Sequence, residues 1–165
     1  RDVTLVTASA LFDLVSEEWL LALSERIDAP VYAALNYDGA MSWTPAERAD
    51  ASVTEAFNRH QKGDKGFGPA LGPDAVSRGG AIFRTAGFDV YEADSPWNLG
   101  PDEAALQRNL VAGIANAAVE AGAPEAESWG AMRHARAAHT YCRIGHGDLL
   151  ALPVTTLRES NHAND

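Results

Sequence analysis

The chain has 165 residues, 46% of them hydrophobic and 22% charged, values that exclude a disordered, collagenous or disulfide-built protein. Asp and Glu number 23 against 13 Lys and Arg, a net charge of −10, and only Lys62 and Lys65 are lysines. That balance argues against a nucleic-acid partner, which needs a dense cationic surface. The single cysteine, Cys142, permits no intrachain disulfide and points to a reducing cytoplasm; no apolar run approaches the roughly 18 residues of a membrane span.

Residues 3–8 are short, apolar on both faces and rich in β-branched side chains, so they read as a buried strand of a parallel sheet. The chain enters this strand almost at once, which leads to the expectation that it begins inside a larger fold. Ser16 is placed as a helix N-cap, with Glu17 and Glu18 at the positive end of the dipole. Trp19, Leu20, Leu23 and Ile27 recur at helical spacing, predicting a helix over 16–27 that Pro30 closes. Residues 31–37 read as a second buried strand. Strand, helix, strand with short links is a βαβ unit.

Thr44-Pro45-Ala46-Glu47 has the form of a capping box with proline at the first helical position. Val53, Ala56, Phe57 and His60 then predict a helix over 50–61. A loop rich in glycine and charge follows, from Lys62 to Pro69. Everything from Tyr37 to Gly72 is long for a plain link, and such excursions after a strand's carboxyl end often carry substrate loops. Helices are predicted over 73–86, 101–121 and 125–139, and strands over 88–93 and 141–152. Gly145 and Gly147 suggest a bulge in the last strand. Residues 154–165 are polar and read as a tail. The whole is an α/β protein with a mostly parallel sheet, whose first strand has a bare edge.

The chain lacks a G-x-G-x-x-G turn, a P-loop, a G-x-S-x-G elbow and paired histidines at metal-binding spacing, so no metal is expected. Chemistry is therefore sought at strand carboxyl ends. Ser9-Ala10-Leu11-Phe12-Asp13 follows the first strand; it is either a ligand-approach turn or an ordinary turn with Asp13 as a local cap. Asn36-Tyr37-Asp38-Gly39 follows the second, where Asn36 and Tyr37 can hold polar atoms and Asp38 can accept a proton, or Asp38-Gly39 is simply a turn. The run Asn58 to Phe67 holds His60, Gln61, both lysines and two glycines; His60 is either a general base or a packing histidine on the stripe of Val53 and Phe57. Trp97 is an aromatic wall or core. His146 and Asp148, two apart on a strand, suggest a structural hydrogen bond. Arg133, His134, Arg136 and His139 form one basic helix, read as a solvated face or a dock for an acidic partner.

The run from Val3 to Leu20 resembles the fourth strand and following helix of class I S-adenosylmethionine-dependent methyltransferases. The stretch from Ala56 to Pro73, with Ser95-Pro96-Trp97 and Gly145-His146-Gly147-Asp148-Leu149-Leu150, resembles a bacterial branch of that family. The resemblance spans about residues 3–153 and is most specific in its middle part. It implies strands 4, 5, 6 and 7 of a seven-stranded Rossmann-like sheet, in the spatial order 4-5-7-6 with the last antiparallel and helices on both faces. Residues 101–139 would be a helical insertion, and residues 1–153 the C-terminal part of one domain. The glycine-rich loop and the acidic residue that hold most of the cofactor would lie in an N-terminal half outside this sequence.

By position, the resemblance implies Ala8, Ser9 and Ala10 at the cofactor S-adenosylmethionine. It implies Asn36, Tyr37, Gln61, Lys65, Phe67 and Trp97 at a small or medium polar acceptor, with His60 and Asp38 as candidate bases. The expected partners are that small molecule and the missing N-terminal half, without nucleic acid or membrane; a homodimer is also compatible. Two other readings stand beside it: a non-catalytic α/β interaction module, and another α/β enzyme, a hydrolase or phosphotransferase, with its motifs upstream.

Overall fold

The computed structural model describes residues 3–154. Five strands and five α-helices follow one another: β1 (Val6–Ser9), α1 (Glu17–Ser24), β2 (Val31–Thr44), α2 (Asp50–Gln61), α3 (Ala75–Thr85), β3 (Phe88–Asp94), β4 (Trp97–Leu99), α4 (Ala104–Glu120), α5 (Glu125–Arg136) and β5 (Tyr141–Pro153). Of the expected tail 154–165, all but Val154 lies outside the described residues. No helix among the described residues is long and apolar enough to cross a membrane.

The strands form one open mixed sheet in the order β1-β2-β5-β3, with β4 also on β5. β1 and β2 pair in parallel, Val6 opposite Val31 and Ala8 opposite Ala33. β5 runs antiparallel to β2, β3 and β4. The expectation of a mostly parallel sheet is therefore right for strand directions and wrong for pairings: four strands point one way, but the reversed β5 sits among them. β3 and β4 occupy the same edge of β5, with Asp94 opposite Gly147 and Trp97 opposite Ile144. Ser95-Pro96 breaks that edge, because proline has no N–H for the ladder, and the short β4 escapes a propensity reading.

Alternation along β5 assigns the two cores to opposite faces. Leu149 and Ala151 point to one face, where they meet Val31, Ala33, Leu20, Ile82 and Phe83 under α1 and α3. Cys142 and Ile144 point to the other, with Trp43, Val53, Val111, Ile114 and Trp129 under α2, α4 and α5. Helices thus cover both faces, but at different ends of the strands. Ser16 caps α1 as expected, its Oγ accepting from Trp19 N at 3.2 Å.

Several local expectations change. β2 does not stop at Tyr37 but runs on to Thr44, so the helical excursion begins only at Pro45. No capping box forms before α2; instead the Glu47 N–H donates to Asp50 Oδ2 at 2.8 Å. The register shifts lie in β2, between Ala33 and Asn36 and between Tyr37 and Met41, not at the glycines of β5. Leu35 in the first shift (φ +56°) and Gly39 in the second (φ +89°) take up the extra residues. Gly145 and Gly147 serve close approach: a Cβ on the first would collide with the Asp38 carboxylate, and on the second with Val76. The basic helix is a solvated face at His134, Arg136 and His139, but not at Arg133. Arg133 is 1% exposed and holds both Asp50 oxygens at 2.6 Å and Pro45 O at 2.9 Å, while Arg136 pairs with Glu47.

Candidate functional site

A cavity of about 310 Å³ opens beyond the carboxyl end of the parallel β1–β2 pair, where open α/β sheets bind ligands. The turn after β1 supplies Ala10, Asp13 and Leu14, and β2 supplies Tyr37 and Met41. Phe57 and Gln61 come from α2, Leu110 and Ile114 from α4, and Ile144 and His146 from β5. Most of this wall is apolar, as small-molecule sites usually are, with a few polar groups converging on it.

The turn after β1 is tied down from behind. Asn36, 1% exposed, accepts from Phe12 N at 3.2 Å and donates to Ala33 O at 3.2 Å and Gly147 O at 3.1 Å. One side chain thereby joins the β1 turn, β2 and β5. Both its N–H groups and its oxygen are engaged by backbone and the side chain is buried, so Asn36 positions the site and does not itself reach an acceptor. Ala10 sits in the left-handed region (φ +49°), an unusual conformation for a residue with a Cβ.

Asp13, His146 and Tyr37 are the ionisable groups of the wall with perturbed acidity. Burial raises the Asp13 carboxyl above its ordinary 3.8, offset in part by the backbone N–H groups of Asp13 and Tyr37 and by the nearby His146. Its Oδ1 is buried and has no hydrogen-bond partner. Burial lowers His146 below its ordinary 6.5, while the carboxylates of Asp38, Asp13 and Asp148 pull the other way. His146 Nδ1 lies 3.2 Å from Ile144 O, which makes Nδ1 the protonated nitrogen and leaves Nε2 as the proton acceptor. The Trp97 ring, 5.0 Å away, backs the imidazole from β4.

The expected His146–Asp148 hydrogen bond does not form. Asp148 instead accepts from Tyr32 Oη at 2.6 Å, from Leu35 N at 2.9 Å and from Ser95 Oγ, and so fastens the strained Leu35. Hydrogen bonds hold the Asp148 carboxyl below its usual value against the opposing effect of burial. Tyr37 Oη donates to Asn58 Oδ1 at 2.8 Å, and burial pushes its phenol well above the ordinary value, so it acts as a proton donor only.

Of the residues singled out in the sequence, Ala10, Tyr37 and Gln61 line the cavity. Ala8 pairs inside β1 and packs with the core, and Ser9 is exposed at the strand's end. His60 lies outside the lining, with Nε2 3.0 Å from Glu120 and Nδ1 3.4 Å from Lys65. Lys65 is occupied there, and Lys62 pairs with Asp74 at 2.8 Å. Phe67 packs edge-on against Trp19 of α1. Asp38 is exposed, caps Ala40 N at 2.8 Å and reaches the site only through its field on His146. Trp97 stands behind His146. The residues that sequence reasoning undervalued are Asp13 and His146; the signal for His146 was its place in the alternating row with Cys142 and Ile144.

One other feature narrows the chemistry. Cys142 is buried in the core and its thiol is pushed up to about 11, so it is no nucleophile. Among the described residues no group of His, Cys, Asp and Glu is arranged to hold a metal ion. No protein-family profile and no curated protein matches the chain.

Proposed function

We propose that this chain is the acceptor-side flank of a cytoplasmic S-adenosylmethionine-dependent methyltransferase, with a cofactor-holding N-terminal half completing the sheet across β1. The observation that carries this reading is the strand order β1-β2-β5-β3 with β5 reversed. It is the 4-5-7-6 arrangement, with the last strand reversed, that the resemblance implies. The cavity beyond the carboxyl end of β1 supports the same reading.

The residues at that end suit the edge of a cofactor site but not a whole one. Ala8, Ser9 and Ala10 carry nothing larger than a hydroxymethyl group, so a ligand can approach the backbone closely. The described residues contain no glycine-rich turn after β1 or β2 for the rest of a nucleoside. When bound, S-adenosylmethionine supplies a methyl group on a positively charged sulfur.

The protein's task is then to hold the acceptor, keep water out and take up a proton. Leu14, Met41, Phe57, Leu110 and Ile114 exclude water. His146 is neutral at pH 7, has a free acceptor at Nε2, and gains stabilisation from Asp13, Asp38 and Asp148 once protonated. It replaces His60 as the preferred base, because His60 is engaged with Glu120 and Lys65 outside the cavity.

The test is methyl transfer from a tritiated donor, catalysed by the complete gene product, into a deproteinised small-molecule extract. His146→Ala is expected to lose about 10²–10⁴ in kcat, the usual contribution of a general base, and His60→Ala to retain most activity. Absence of transfer to any small molecule would remove the reading; equal activity of the two variants would remove His146 from it.

A further inference from the structure

We infer that the cavity selects an amine: a ligand with an apolar body of about one aromatic ring, whose ammonium group donates to Asp13. Three observations lead there. First, Asp13 is the one carboxylate on the cavity wall, and among the described residues it pairs with no cation and its Oδ1 makes no hydrogen bond. Second, neither lysine nor arginine lines the cavity, so an acid would meet Asp13 with nothing to offset it. Third, the surrounding field is negative, because Asp38 and Asp148 act on His146 in the same direction as Asp13. The remaining wall, Leu14, Met41, Phe57, Leu110, Ile114 and Ile144, suits a flat apolar body in a volume near 310 Å³.

The inference narrows the acceptor of the proposed methyl transfer and rests on that reading for its biological meaning. An ammonium held by Asp13 must lose a proton before its nitrogen can act as a nucleophile. Neutral His146, on the same wall, is the group that takes it: the N–H bond breaks, its electron pair stays on nitrogen, and the imidazole becomes imidazolium.

Binding requires no methyl donor, so it is measured on the intact 165-residue chain by amide chemical-shift titration. The probes are 2-phenylethylamine, 2-phenylethanol and phenylacetate, which share a body and differ in charge. The amine is expected to shift amides of the Ala10 to Leu14 turn, Tyr37, Phe57 and the Leu110 to Ile114 turn of α4. It should bind about tenfold or more tightly than phenylacetate, the usual scale of a charge-assisted hydrogen bond. Asp13→Asn should remove that preference while 2-phenylethanol binds as before. Gln61→Trp, which fills the cavity mouth from a half-buried position, should weaken all three probes. Equal affinity for amine and acid, shifts elsewhere on the surface, or an unchanged preference in Asp13→Asn would overturn the inference. Methyl transfer to a non-amine would leave the titration result standing, and a failed titration would leave methyl transfer to another acceptor class standing.

Discussion

Arg133 and Asp50 form the most deeply buried ion pair among the described residues, and the pair also accepts Trp129 Nε1 at 2.8 Å. Removing the cation alone strands a carboxylate beneath α5, so Arg133→Met is expected to cost roughly 3–5 kcal/mol. A fall in the urea midpoint with unchanged slope would register it. His146 and Asp13 give opposite pH signatures. The folded His146 resists protonation, so below 6.5 the unfolded chain binds the extra proton and stability falls as pH falls. His146→Gln should flatten that loss, measured by urea unfolding from pH 7 downward. Folded Asp13 holds its proton above 3.8, so its ionisation costs stability as pH rises beyond that value. Asp13→Asn should therefore melt higher at pH 7 even as it loses the amine, the usual opposition of stability and function. Neither shift can be read from sequence, because both arise from burial. Asp13 looks like any turn aspartate until the fold buries it in the cavity wall.

At the scale of elements, the alternation of β-branched and apolar residues and the helical stripes located all five long helices and the four longer strands. The boundaries that failed have physical reasons. Asp38-Gly39 carries the local signature of a turn, yet inside β2 it is a register shift that lets the strand continue to Thr44. Leu35 carries no signature at all, since a leucine at φ +56° is tolerated only because Asp148, far along the chain, holds its amide. The same dependence on distant partners makes Asn36 a clasp between β1, β2 and β5. Asn36→Ala leaves the buried Phe12 N–H without an acceptor and should destabilise by about 3 kcal/mol. Hydrogen exchange should show the turn after β1 opening first; uniform loss of protection across the sheet would argue against a local clasp.

Across the whole molecule, the sheet is half dressed. Thr7, Tyr32, Leu150 and Tyr91 lie in one row across β1, β2, β5 and β3. Alternation sets this row on the face away from α1 and α3, and α2, α4 and α5 cover that face only at its other end. Tyr32 is 40% and Tyr91 59% exposed, with Leu5 similarly open just before β1. A bare apolar face beside the unpaired edge of β1 is what a continuing sheet with its own helices would cover. Leu5→Glu, beside that edge, should therefore leave the isolated chain folded but prevent it from co-purifying with the proposed N-terminal half expressed separately. Retained association would move that contact elsewhere.

The most direct measurement is calorimetric titration of S-adenosylhomocysteine, the demethylated form of the donor, into the complete gene product and into this 165-residue chain side by side. The account predicts saturable one-to-one binding by the complete protein and none by the chain at the same concentrations. Equal binding by both, or none by either, would contradict it.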